Sequence, residues 1–182
     1  MSTLTVKELA APTGYDLKIA SGETLDLKSQ GTVTMPAGAV LQVVQADGFS
    51  TWSTNSTTWS NTGVTAAITP SSTSSKILVT VQITFSFSTA TRPRGGFRLH
   101  KDDDTVVVQT SDEGFHVHSL GSGGEYRAHM AFSYLDSPSS TSSQDYWVEG
   151  RTDVGANTTS ITGHDGSNWI NPSSITLMEI AG

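Results

Sequence analysis

The chain has no cysteine, which excludes a disulfide framework, a thiolate nucleophile and every zinc, iron–sulfur or redox site built on sulfur ligands. Positive charge is scarce as well: 10 Lys and Arg stand against 17 Asp and Glu, a formal net charge of −7. An acidic surface repels phosphate backbones and anionic headgroups, so neither nucleic acid nor membrane insertion is expected. No stretch approaches the roughly 20 consecutive apolar residues of a membrane helix. Residues 1–10 lack both the basic and the apolar regions of an export signal, so assembly in a reducing cytoplasm is expected. Without that signal, Asn55-Ser56-Thr57 and Asn157-Thr158-Thr159 read as polar turns rather than glycosylation sites. Helix-forming stretches with a 3.6-residue period are nearly missing; one turn or two over residues 6–10, stopped by Pro12 and Gly14, is the exception.

What the chain does contain is β-sheet material. It has 26 Ser, 26 Thr and 17 Gly, and its four Trp, six Phe and four Tyr provide a core that a disordered chain lacks. In Lys76–Ser88 the odd positions Ile77, Val79, Val81, Ile83, Phe85 and Phe87 alternate with Thr80, Gln82, Thr84 and Ser86, the period of a strand with one buried face. Glu125–Asp136 repeats the pattern, with Tyr126, Ala128, Met130, Phe132 and Tyr134 on one side. Shorter strands are predicted at 40–46, 97–101, 105–110, 145–152 and 174–181, separated by Gly, Pro, Ser and Asp clusters. Seven or more such strands predict an all-β, antiparallel jelly roll or β-sandwich over residues 39–182. In the last strand Ile175 and Leu177 share one face and Met178 and Ile180 the other, so both faces need cover, from a neighbouring subunit or from a loop of the same chain.

Residues 1–38 are organised differently. Leu17-x-Ile19, Leu25-x-Leu27 and Val33-x-Met35 recur every eight residues, after Gly14, Gly22 and Gly31. Each rung offers two apolar side chains worth about 2 to 3 kcal/mol apiece when fully buried. Ordering its residues costs roughly 1 to 2 kcal/mol each in backbone entropy, so a lone ladder does not hold. Two solutions remain: identical ladders from other chains around a shared axis, which makes residues 1–38 a stem of a homotrimer, or a meander packed on its own domain. In the first, Leu17, Ile19, Leu25, Leu27, Val33 and Met35, with Met178 and Ile180, are the trimer contacts.

Signatures of catalysis are missing: there is no G-x-S-x-G elbow, H-E-x-x-H or Walker loop, and Gly121-Ser122-Gly123-Gly124 opens no helix. The expectation is no enzyme, no catalytic residue and no cofactor. A glycosidase would need paired carboxylates, for which Asp112, Glu113, Asp145 and Glu149 are available. His116-x-His118 projects two imidazoles to one side of a strand; one chain supplies too few ligands for a metal, whereas three copies on an axis would supply six nitrogens. Exposed histidines on a polar strand are the plainer reading. Asp102-Asp103-Asp104, at the tip of a 97–108 hairpin, lacks the alternating ligands of a calcium loop and reads as a solvated turn. Trp52 and Trp59 in a Ser/Thr-rich stretch suit stacking on sugar rings or plugging the sandwich edge. Arg92 and Arg94, in a loop with Arg98 nearby, suit an acidic glycan, an acidic subunit or plain solvation.

Four segments taken in order are more specific. Ile68-Thr69-Pro70-Ser71-Ser72-Thr73-Ser74-Ser75-Lys76-Ile77-Leu78-Val79 is followed by Gly96-Phe97-Arg98-Leu99 and by Phe132-Ser133-Tyr134-Leu135-Asp136-Ser137-Pro138-Ser139-Ser140-Thr141-Ser142. The series ends on Ser173-Ser174-Ile175-Thr176-Leu177-Met178-Glu179-Ile180-Ala181. Together they resemble a module of tailed-bacteriophage fibres of the marine and cyanobacterial type, over about residues 64–182. That resemblance implies a non-enzymatic virion structural protein, a trimer whose compact β head is similar to tumour-necrosis-factor and complement heads, with residues 1–38 as the leader that attaches it to other tail or capsid proteins. A host-surface glycan is then the expected external partner, and the loops bearing Trp52, Trp59, Arg92, Arg94 and Asp102–Asp104 the expected contacts. The same resemblance admits a capsid decoration protein; a small carbohydrate-active enzyme is a third, separate reading, which requires a cleft with paired carboxylates.

Overall fold

The computed structural model describes residues 13, 21–22, 35–47, 51–88, 94–101, 105–108, 114–118, 125–153, 158–161 and 173–182. Among them are eleven strands and no helix: β1 (Val40–Asp47), β2 (Trp52–Thr54), β3 (Ser60–Ile68), β4 (Lys76–Ser88), β5 (Arg94–Lys101), β6 (Thr105–Val108), β7 (Phe115–His118), β8 (Glu125–Asp136), β9 (Gln144–Thr152), β10 (Thr158–Ile161) and β11 (Ser174–Ile180). The chain divides into two compact units, Met1–Thr34 and Met35–Gly182. Met35–Gly38, placed with the stem by sequence, falls in the second unit. The predicted turn of helix at 6–10 and the rungs Leu17, Ile19, Leu25, Leu27 and Val33 lie outside the described residues.

All pairings are antiparallel. One sheet runs β1-β11-β4-β10-β2 with β8 on the other side of β4, and the second runs β3-β9-β5-β6 with β7 also on β5. Because β6 and β7 pair with successive halves of β5, they act as one interrupted strand. With the short β2–β10 pair set aside, the eight principal strands stand first-eighth-third-sixth in one sheet and second-seventh-fourth-fifth in the other. That nested order is a jelly roll, and the predicted all-β antiparallel sandwich is what the chain forms.

The period-two residues of β4 make the core. Ile77, Val79, Val81, Ile83, Phe85 and Phe87 are all buried against Phe97, Leu99, Tyr146 and Val148 of the facing sheet. Phe85 meets Phe97 across the layers at 5.4 Å between ring centres. At about 25 cal/mol per Å² of apolar surface removed from water, these rings dominate the cohesion of the two layers. Tyr146 is wholly buried, and its hydroxyl donates to Asp136 Oδ2 at 2.7 Å, tying β9 to the end of β8 in the opposite sheet. Three strands escape the sequence reading: β2, β10 and, most consequentially, β3. In β3 the buried residues are the small Thr62, Val64 and Ala66 with Ile68, too weak a hydrophobic signal to mark alternation. The predicted loop around Arg94 is instead the start of β5; of the predicted strand at 105–110, Thr105–Val108 is β6 and residues 109–110 lie outside the described residues.

Candidate functional site

On the outer face of the β3-β9-β5 sheet, register places Arg98 of β5 opposite Glu149 of β9, and the pair closes. Arg98 donates from Nε at 2.8 Å and approaches with Nη2 at 2.7 Å, both to Glu149 Oε2. His100, two residues on, brings Nε2 to 3.1 Å from the same oxygen, and its ring packs 5.5 Å from that of Trp147. Arg151 lies one step beyond Glu149 on the same face of β9, 3.8 Å from Asp153.

Trp59 roofs this group. Its indole lies under two guanidiniums, Arg98 at 4.5 Å and Arg151 at 4.7 Å from the ring centre, contacts that attract through the ring quadrupole. Local turns position the ring: Thr54 Oγ1 accepts from Ser56 N, Ser56 Oγ accepts from Thr58 N, and Thr152 N donates to Ser56 O at 3.0 Å. Gly114 makes the space. It has φ +71°, and a Cβ there would sit 2.5 Å from Phe97 O and 2.7 Å from Trp59 Cη2. Trp52 is used inward, its ring resting on Gly150, where a Cβ would lie 2.6 Å from Cη2. The two tryptophans thus occupy different layers, Trp52 packed against the core and Trp59 on the outer face.

Two of the four segments that carried the sequence resemblance also meet, through Glu179. This residue is 1% exposed on the inner side of β11. Its Oε1 accepts from Ser71 N (2.7 Å), Ser71 Oγ (2.6 Å) and Ser75 Oγ (2.6 Å), and its Oε2 from Gln42 Nε2 (2.7 Å). Burial raises the pKa of this carboxyl, but the donors of Ser71, Ser75 and Gln42 outweigh it and hold it below the usual glutamate value. The C-terminal strand is thereby clasped to the β3–β4 turn.

Other predicted residues are dispersed. Arg92, Asp102, Asp103, Asp104, Asp112 and Glu113 lie outside the described residues. Arg94 pairs with His118 and Gly96 with His116 in the β5–β7 ladder. Among the described residues no group of three or more His, Asp or Glu is arranged to hold a metal ion. Asp145 and Glu149 stand on one face of β9, four residues apart, roughly 13 Å along a strand, beyond the about 5 to 9.5 Å of a glycosidase pair. Met178 and Ile180 are half-buried on the outer side of β11, opposite the buried Ile175 and Leu177. Sequence reasoning missed Arg151 and Trp147; the period-two run Asp145, Trp147, Glu149, Arg151 was the available signal.

No protein-family model and no curated protein matches the chain. Among solved structures it is similar to that of the infectious bursal disease virus Gt strain, at TM-score 0.35 and 15% identity over 95% of this chain and 47% of that one. The infectious bursal disease virus VP2 subviral particle gives TM-score 0.33 and 12% identity over 88% and 42%. The chain spans less than half the length of either. The assignment of the jelly roll rests on strand order, to which likenesses this distant add nothing.

Proposed function

We propose that the chain is a non-enzymatic structural protein of a tailed-phage virion: a homotrimer, anchored through residues 1–38 to other virion proteins, whose jelly-roll head forms a compact tail fibre or fibre tip and meets the host surface. One observation supports this above the others. Three of the four segments that resemble phage-fibre modules supply residues that lock the head together, Glu179 with Ser71 and Ser75, and Asp136 with Tyr146 of β9. A resemblance carried by scaffold residues points to a structural role. Three weak glycan contacts on one particle combine into firm attachment by multivalency. The test is adsorption: purified full-length protein is expected to compete with phage for host cells. Failure to compete at saturating concentration removes the host-contact reading.

A capsid decoration protein is the second reading, favoured by the compactness of Met35–Gly182 as one unit. Copy number separates the two, since a decoration protein is present in far more copies per particle than a fibre. Incubation with host polysaccharide, releasing no sugar, would exclude a carbohydrate-active enzyme.

A further inference from the structure

We infer that the outer face of the β1-β11-β4-β8 sheet is the surface through which one copy of the chain meets the next. Register aligns Val43 with Met178, Met178 with Leu78 and Leu78 with Leu135, so one apolar row crosses four strands. Val40 and Ile180 extend it in the adjoining row. The large apolar side chains exposed among the described residues are Met35 (46%), Val40 (50%), Val43 (54%) and Leu135 (49%). Three of them stand on this face, and Met35 precedes β1 by five residues. Scattered exposed apolar residues need no explanation, but a continuous row does.

Two further observations select a second copy as the occupant. First, the apolar row, the Val40–Ile180–Lys76 row and the next, Gln45–Thr176–Thr80–Ser133, contain one charged side chain, Lys76, and no carboxylate. In a chain of net charge −7, these three rows let two copies approach without opposed acids, the exposed Asp47 of β1 standing one row further along. Second, the chain enters the head at this corner: Gly38 N donates to Ala181 O at 2.7 Å and Ala181 N to Ala39 O at 2.8 Å. Copies joined through residues 17–35 are tethered here, which raises the effective concentration of this face for its like. The row also runs from the β1 edge to the β8 edge. In the trimer the Leu135 side of one copy then meets the Val43 side of the next, the head-to-tail kind of contact that forms a ring when the rotation between copies closes.

This inference rests on the trimer reading, and the experiment separates the two. Sedimentation of the full chain at micromolar concentration is compared for wild type and the double variant V43E/L135E, whose sites are half-exposed, leave the core untouched and set like charges against each other across the contact. The expected result is a wild-type trimer, a variant shifted to monomer with at least a tenfold weaker association, and an unchanged β-sheet spectrum. A trimeric variant overturns the inference and leaves the trimer standing; a monomeric wild type overturns both. Because the chain lacks cysteine, the single variant L135C gives a second readout. Maleimide labelling is expected to be at least tenfold slower in the assembled protein than after dilution to monomer. Equal protection in both states would show that the chain's own segment covers the face and would also overturn the inference.

Discussion

On the outer face of the β3-β9-β5 sheet, long side chains among the described residues find partners from their own chain: Arg98 on Glu149, Trp59 under Arg98 and Arg151, His100 beside Trp147. On the outer face of the β1-β11-β4-β8 sheet, Val43, Met178, Leu78 and Leu135 form a row with no carboxylate near it and two members about half exposed. Both faces come from strands of the same period, and their inner sides fill one core. The contrast shows how a jelly roll divides its surface. One face is sealed by cation–π and ion-pair contacts that cost little to keep wet, and the other is left in a form that only further burial improves.

The sealed face breaks most sharply at Gly114. Gly114→Ala forces a side chain into a left-handed backbone position and into Phe97 O, and we expect a loss of about 3 kcal/mol in urea unfolding from strain and overpacking together. A loss below about 1 kcal/mol would show that the Trp59 roof yields freely. Next is the clasp of β11 to the β3–β4 turn. Glu179→Gln removes a charged acceptor from four buried or half-buried donors and should cost about 2 kcal/mol. Because the folded pKa of Glu179 is lowered, its stabilisation is complete above the unfolded value of about 4.3 and is lost as pH falls through the folded value. Wild type should therefore lose stability below about pH 4 more steeply than Glu179→Gln, and parallel acid limbs in the two proteins would contradict the clasp.

How far the sequence reveals these features depends on whether burial leaves a periodic trace. In β4 and β8 large apolar residues alternate with Thr, Ser and charge, so both strands read with the boundaries the structure has. β3 buries Thr62 and Ala66 in the same geometry, yet small and polar side chains leave no contrast, and the strand is invisible. The Trp59 cluster is half legible. Trp59 and Arg98 stand out by residue type, but their meeting depends on the β5–β9 register and on the space at Gly114, neither of which a linear pattern encodes. The two-faced character of β11 is legible because Ile175 and Leu177 fall out of phase with Met178 and Ile180. What covers the outer pair is not, since register across β1, β4 and β8 is needed to see the row.

Smaller effects sharpen the contrast further. Trp59→Ala should cost about 1.5 kcal/mol, the combined loss of two cation–π contacts and of ring burial, measured by thermal unfolding. Its partner test is Arg151→Lys, which keeps the charge and loses the flat stacking surface; an unchanged midpoint there would assign the roof to Arg98 alone. Smallest of all, Val43→Thr should move the unfolding free energy of the dissociated head by less than about 0.5 kcal/mol, while weakening the dependence of the melting temperature on protein concentration.

The two hydrogen bonds joining residues 38 and 39 to Ala181 bring the head's first and last strands to one corner. A circular permutant would exploit this geometry: a short linker from residue 182 to 35, with the chain reopened in the exposed Ser-rich turn between β8 and β9, preserves every ladder pairing. Such a rewired head would carry its covalent leash at the same end of the sheet but on the β8 edge instead of the β1 edge, separating the edge by which the molecule is held from the edge at which its chain naturally enters.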